Sequence, residues 1–124
     1  MNKENTDKLI SDFPRLFEPD FGFECGDGWF QLIYDLARKI EPVIDKLPQS
    51  AQDGLSASQV KEKYGTMSFY INEPLGHEDT IKNIRALICY AESKSKYICE
   101  KCGEPGVREN DFGWLKTLCE EHRQ

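Results

Sequence analysis

The stretch CEKCGEPGVRENDFGWLKTLCEEH, residues 99–122, restricts this chain more than any other. It holds a C-x2-C, Cys99 and Cys102, and a C-x2-H, Cys119 and His122. Two such pairs, separated by a span long enough to fold back, can place four soft donors tetrahedrally around one Zn2+. Three thiolates and one imidazole complete that shell. The ion is therefore expected to be structural, since a catalytic site keeps a position open for water. A redox C-x-x-C sits at a helix N-terminus inside a βαβ unit, and no such unit precedes Cys99. The zinc deaminase signature, H-x-E followed by P-C-x-x-C, fails at both halves. His77 is followed directly by Glu78, and Cys99 follows Ile98 rather than proline.

Around these ligands the sequence supplies turn chemistry. Gly103 suits a tight knuckle whose amides point at thiolates, and Pro105-Gly106 begins a turn. Val107-Arg108 is expected to pair with Trp114–Leu118 across Asn110, Asp111, Phe112 and Gly113, and the last ligand pair falls at the start of a terminal helical turn. That order resembles zinc-ribbon or treble-clef-like modules.

A chain of 124 residues fits one compact domain with a small appended module, here an α+β core over residues 1–97 and a zinc module over residues 98–124. The N-terminus MNKENTDKL lacks the apolar stretch of a signal peptide, and no run approaches the ~20 apolar residues of a membrane span. A soluble cytoplasmic protein is expected. Five cysteines without an export signal favour metal over disulfides. The formal charge of −6 opposes non-specific binding to nucleic acid, which relies on clustered Lys and Arg.

Apolar residues Leu9, Ile10, Phe13, Leu16 and Phe17 recur at helical spacing over residues 3–17, with Thr6 as the expected cap and Pro14 as an interruption. Asp27 is placed to cap the next helix, whose stripe is Phe30, Ile33, Ala37, Ile40, Ile44 and Leu47, kinked or split at Pro42. Residues 48–58 read as a loop. SQVKEKYGTMSFYI reads as a hairpin with Gly65 and Thr66 as the central residues of a type II′ turn. Tyr64 then opposes Met67, Glu62 opposes Phe69 and Val60 opposes Ile71 on an apolar face, while Lys61 opposes Tyr70 and Lys63 opposes Ser68 on a basic and polar face. A third helix carries Ile81, Ile84, Leu87, Ile88 and Ala91, with Glu78 and Asp79 in its first turn and an end near residues 93–96. The expected fold class is α+β, with three main helices packed on a small antiparallel hairpin.

Outside the zinc ligands the chemistry is sparse. Glu62 is the anomaly of its strand face, because a carboxylate among apolar residues needs a partner. With Glu24 and Asp27 it could supply acid–base groups; the simpler reading makes Asp27 a helix cap and Glu62 the partner of a Lys or Arg. Lys61, Lys63, Tyr70, Arg108, Trp114 and Lys116 interleave basic and aromatic groups, as phosphate and base recognition require. Together with Glu62, Asp27 and Trp29 they form the candidate ligand-binding set. No residue is assigned a catalytic role. His77 reads as an exposed helix start, and Cys25 and Cys89 as ordinary packed or semi-buried thiols, with carboxylates near Cys25 opposing its activation.

FECGDGWFQLI, VKEKYGTMSFY and CEKCGEPGVREN with GWLKTLCEEH together resemble a recurrent set of small proteins of unassigned activity encoded by bacteriophages and prophages. The resemblance spans about residues 20–124 and implies a phage context and the zinc ligands Cys99, Cys102, Cys119 and His122. The hairpin here reads KYGTMSFY where that set carries a second glycine and a basic residue. The functional expectation is a non-enzymatic, zinc-stabilised binding protein acting on a host protein or sequestering a nucleotide-like signal used in defence. One alternative is an enzyme acting on a nucleotide or phosphoester through Glu62 and carboxylates near Asp27. Another is a nucleic-acid-binding regulator that uses the zinc hairpin. The sequence admits a homo-oligomer and gives no reason to expect a membrane partner.

Overall fold

The computed structural model describes residues 1–111 and 113–123, leaving aside the side chain of Asp111. Helix α1 spans Lys3–Asp12. Its cap is Asn2, whose side chain accepts from the Asn5 amide at 2.8 Å, and not Thr6, which lies within the first turns. The helix stops before Pro14, and Leu16 and Phe17 reach the core from the turn that follows. Asp27 opens a single 3₁₀ turn, Asp27–Trp29, that leads into α2, Phe30–Asp45. Pro42 neither splits nor ends α2. The carbonyl it leaves without an amide partner belongs to Arg38 on the exposed side of the helix, where the lost bond costs least. Leu32, Ile33, Leu36, Ala37, Ile40 and Ile44 form the buried stripe.

The segment expected to be a loop at residues 48–58 is more ordered. A one-turn helix α3, Gln49–Gln52, is followed by strand β2, Ser56–Lys63. Ala51, Leu55 and Ala57 are all buried, so this polar-looking stretch forms part of the core wall. Helix α4 spans Glu78–Ser95 with Glu78 and Asp79 in its first turn, as its periodicity requires.

The main sheet is mixed rather than an antiparallel hairpin alone. Strand β1, Phe23–Glu24, runs parallel to β2, and β2 pairs antiparallel with β3, Thr66–Asn72. The register differs from the expected one: Lys63 opposes Thr66, Glu62 opposes Met67, Lys61 opposes Ser68 and Val60 opposes Phe69. Sliding one strand by two residues preserves the face of every side chain, so the apolar face of Val60, Met67 and Phe69 is still buried. What changes is the turn. Its central residues are Tyr64 and Gly65, with φ of 55° and 79°, a type I′ pattern in which both residues are left-handed. Glycine takes this conformation freely; a tyrosine there gives up roughly 1–2 kcal/mol. Near the open end of the hairpin a bulge shifts the register between Ala57 and Gln59.

Helix α4 packs on β3 and α2, and two of its side chains cap the outer edge of β3. Ser95 Oγ accepts from the Met67 amide and a Glu92 carboxylate oxygen accepts from the Phe69 amide, each at 2.9 Å. The result is an α+β fold with five helices and two small sheets among the described residues.

Burial pushes the Glu92 carboxyl above its ordinary 4.5, and the Phe69 amide only partly offsets this. The unfolded chain releases that proton first as pH rises. Between the ordinary value and the raised folded one the native state therefore holds more protons, and stability falls with rising pH. Denaturant titrations across this window should show wild type losing stability relative to Glu92→Gln as pH rises from about 4.5, the group's ordinary value; a pH-independent difference would contradict the assignment.

Candidate metal centre

After α4 the chain turns at Tyr97, and Ile98 bridges to Pro105 around the segment that carries Cys99 and Cys102. The Gly103 amide donates to the Cys99 carbonyl at 2.9 Å and the Cys99 amide to the Glu104 carbonyl at 2.7 Å. Gly103 is left-handed, with φ of 84°, as a tight knuckle requires. Strand β4, Val107–Asp111, then pairs with β5, Trp114–Leu118, from Val107 opposite Leu118 to Asp111 opposite Trp114. Pairing thus continues through Asn110 and Asp111, both expected in the turn; Phe112 lies outside the described residues. The hairpin returns the chain to the knuckle, where Cys119 precedes a terminal helical turn α5, Glu120–Arg123, that carries His122.

Cys99, Cys102, Cys119 and His122 offer donor atoms that all lie within 4.8 Å of one another. The Cys102 and Cys119 sulfurs are 3.7 Å apart, and His122 Nδ1 is 3.8 Å from Cys99 Sγ and 3.1 Å from Cys119 Sγ. Such a group could bind a metal ion. Burial opposes ionisation of Cys99, but the amides of Cys119, Cys102 and Lys101 at its sulfur outweigh it and lower the thiol to about 6. Its neighbour Cys102 is pushed the other way, to about 11, where the Glu104 amide is outweighed by desolvation and the adjacent Cys99 and Cys119 sulfurs. The knuckle thus favours ionisation at Cys99 first, and a thiolate is the form that binds metal.

The segment ECGDGW seats this knuckle on the core. The Gly28 amide donates to the Glu100 carbonyl at 2.7 Å, and the Gly26 amide to a Glu100 carboxylate oxygen at 2.9 Å. Trp29, fully buried, donates its indole N–H to the Ile98 carbonyl at 2.9 Å. A Cβ on Gly28 would stand 2.0 Å from the Cys99 carbonyl oxygen, and one on Gly26 2.4 Å from that of Glu100. Only glycine admits so close an approach of two backbones. Asp27, between them, does not cap α2; it braces the start of α1, whose own cap is Asn2. One carboxylate oxygen accepts from the Asn2 amide at 2.8 Å and from the Asn5 side chain at 3.1 Å.

On the other side the metal hairpin holds the Tyr64 turn. Glu62, the strand anomaly, accepts from Lys116 Nζ at 3.0 Å with one oxygen and from the Gly65 amide at 2.7 Å with the other. Arg108 Nε donates to the Tyr64 carbonyl at 2.8 Å. Thr117, buried and polar, donates its hydroxyl to the Gly65 carbonyl at 2.6 Å. Glu62, Arg108 and Lys116 are thus brought together as a clasp. Lys61, Lys63 and Tyr70 lie instead on the outer face of the sheet, opposite Ser68, Thr66 and Gln59. Glu24 pairs with Lys61 on that same face and accepts from the Gln59 side chain at 3.3 Å. Trp114 is exposed at the far end of the metal hairpin.

Sequence reasoning missed Glu100 and Thr117. Thr117, in WLKTL, carried no signal, whereas two glycines flanking Asp27 ahead of a tryptophan did mark a close backbone approach. Cys25 is buried, and burial, then Glu100 and the other nearby carboxylates, pushes its thiol up to about 12. Cys89 is exposed rather than packed, and His77 is an exposed helix start with φ of 57°. A cleft of about 500 Å³ lies elsewhere, with Glu18, Asp20, Phe21 and Glu24 in its lining and none of the nine ligand-binding candidates.

The chain has no significant match among protein-family models, curated proteins or solved structures. No helix of the described residues is long and apolar enough to cross a membrane.

The seat of the knuckle predicts a contrast between two glycines. Gly28→Ala should lower the unfolding free energy by about 2–3 kcal/mol, because the new methyl overlaps backbone and not a mobile side chain. Gly22→Ala, with nothing within 4 Å, should change it by less than about 0.5 kcal/mol in the same urea titration.

Proposed function

We propose that this chain is a zinc-stabilised binding protein without catalytic chemistry of its own. The observation that carries the reading is the four-donor Cys₃His cluster whose backbone is tied to the core. Thiolates with one imidazole select zinc over hard cations such as magnesium or calcium. Zinc–sulfur bonds of about 2.3 Å in a tetrahedron give sulfur–sulfur edges of about 3.8 Å. The 3.7 Å between Cys102 and Cys119 fits that edge. With every corner supplied by the protein the ion has no place for a reacting water, which supports a structural role. Knuckle, hairpin and terminal turn, with ligands on the first and last, follow a treble-clef-like order.

The acid–base alternative draws little support from the candidate carboxylates. Glu62 is engaged by Lys116 and the Gly65 amide, and Asp27 by Asn2 and Asn5. Lys63, Tyr64, Tyr70, Arg108 and Trp114 are exposed and line none of the principal clefts, which suits docking to another macromolecule better than enclosing a small molecule. That surface character makes a macromolecule, a host-cell protein in the phage context that the resemblance implies, the first class of target, ahead of a nucleotide-like signal. Net charge works against nucleic acid.

Native mass spectrometry should find one zinc ion per chain. Chelation should lower the thermal midpoint on the order of 10 °C, since an ion bound only by the folded state contributes its binding free energy to stability. Cys102→Ser should reduce both effects. A zinc-free chain of unchanged stability overturns the metal reading, and turnover of any member of a nucleotide panel overturns the non-enzymatic one.

A further inference from the structure

We infer that metal occupancy sets the conformation of the Tyr64-Gly65 turn, so that the metal centre controls the exposed tip formed by Lys63, Tyr64 and Arg108. This rests on the metal reading above and extends it from stability to the shape of one surface.

The turn combines three properties. Tyr64 adopts a left-handed backbone that a bulky residue avoids. Its side chain is 67% exposed, so packing of the ring does little to select that conformation. The restraint comes through the backbone, and most of it originates outside the core sheet. Arg108 holds the Tyr64 carbonyl, Thr117 holds the Gly65 carbonyl, and Lys116 fixes the Glu62 carboxylate that receives the Gly65 amide. All three side chains belong to the segment between Cys102 and Cys119. That hairpin starts beyond one ligand pair and returns to the other, so an ion joining the pairs closes its base.

Contact between the two hairpins is also close. A Cβ on Gly65 would come within 3.2 Å of the backbone at Leu115 and Lys116. A small movement of β5 therefore removes the turn's support. By contrast Val60, Met67 and Phe69 are buried in the main core, and the β3 edge is fixed by Ser95 and Glu92. Loss of the ion should thus free the tip while leaving the strands behind it in place. Backbone strain held by an outside element at an exposed site is the arrangement of a switch.

The experiment is heteronuclear NMR of the full chain with zinc and after chelation, reading the Tyr64 Cα shift and the Tyr64 amide–Hα coupling, both sensitive to φ. Loaded protein should give the left-handed values; stripped protein should lose them, with Val60, Phe69 and Ile84 resonances unmoved. Arg108→Met with Thr117→Val should produce the same Tyr64 change while zinc remains bound by mass spectrometry. In Tyr64→Gly, where the left-handed conformation needs no enforcement, the Gly65 resonance should respond less to chelation. Unchanged Tyr64 signals after chelation, an unaltered turn in the loaded double variant, or loss of all native resonances together would each overturn the inference. Failure to take up zinc at all would instead strike at the metal reading.

Discussion

Everything at the C-terminal end depends on two backbones lying against each other without side chains between them. The Gly28 amide meets the Glu100 carbonyl while Cys99 passes within a distance no Cβ could tolerate. This contact fixes where the knuckle sits before any ligand geometry matters. It also explains why Trp29 is buried beside it. The indole fills the space behind the glycines and its N–H satisfies the Ile98 carbonyl, a group that would otherwise be costly to leave unpaired near the core. The Cys/His cluster, which could bind a metal ion, is thus seated on the core through backbone contacts.

Polar groups then join the pieces. Glu62 occupies an apolar strand face because its two oxygens connect the core turn to the metal hairpin, one to a backbone amide and one to Lys116. Exposed ion pairs elsewhere, such as Lys3 with Asp7 or Arg38 with Asp35, are solvent-screened and contribute little. Glu62 differs in that its carboxylate is half-buried and hydrogen-bonded on both sides, so removing it would leave both the Gly65 amide and Lys116 without their partner.

What could be read in advance follows a clear physical line. The clustering of Cys99, Cys102, Cys119 and His122 was legible because metal chemistry fixes residue type and spacing, and α4 because 3.6-residue periodicity is strong over a long segment. The faces of β2 and β3 were legible from alternation, but the turn was not. Local propensity prefers Gly65 at the first central position, and contacts from Arg108 and Thr117, distant in sequence, select Tyr64 instead. Similarly, residues 48–58 look like a linker by composition, and only tertiary burial of Leu55 and Ala57 makes them a wall. Asp27 was expected to cap the next helix and instead holds the Asn2 amide and the Asn5 side chain, since nothing local tells which donors a carboxylate will meet.

The capping of β3 by α4 has a wider meaning. The outward amides of Met67 and Phe69 already have acceptors in Ser95 and Glu92, so this flank offers no free template for an added strand. On the opposite flank the two residues of β1 pair only with Val60 and Lys61 of the eight-residue β2. Strand addition is opposed along the stretch of β3 that α4 caps. An extended peptide could add to this stretch of edge only if Ser95 and Glu92 first released those amides.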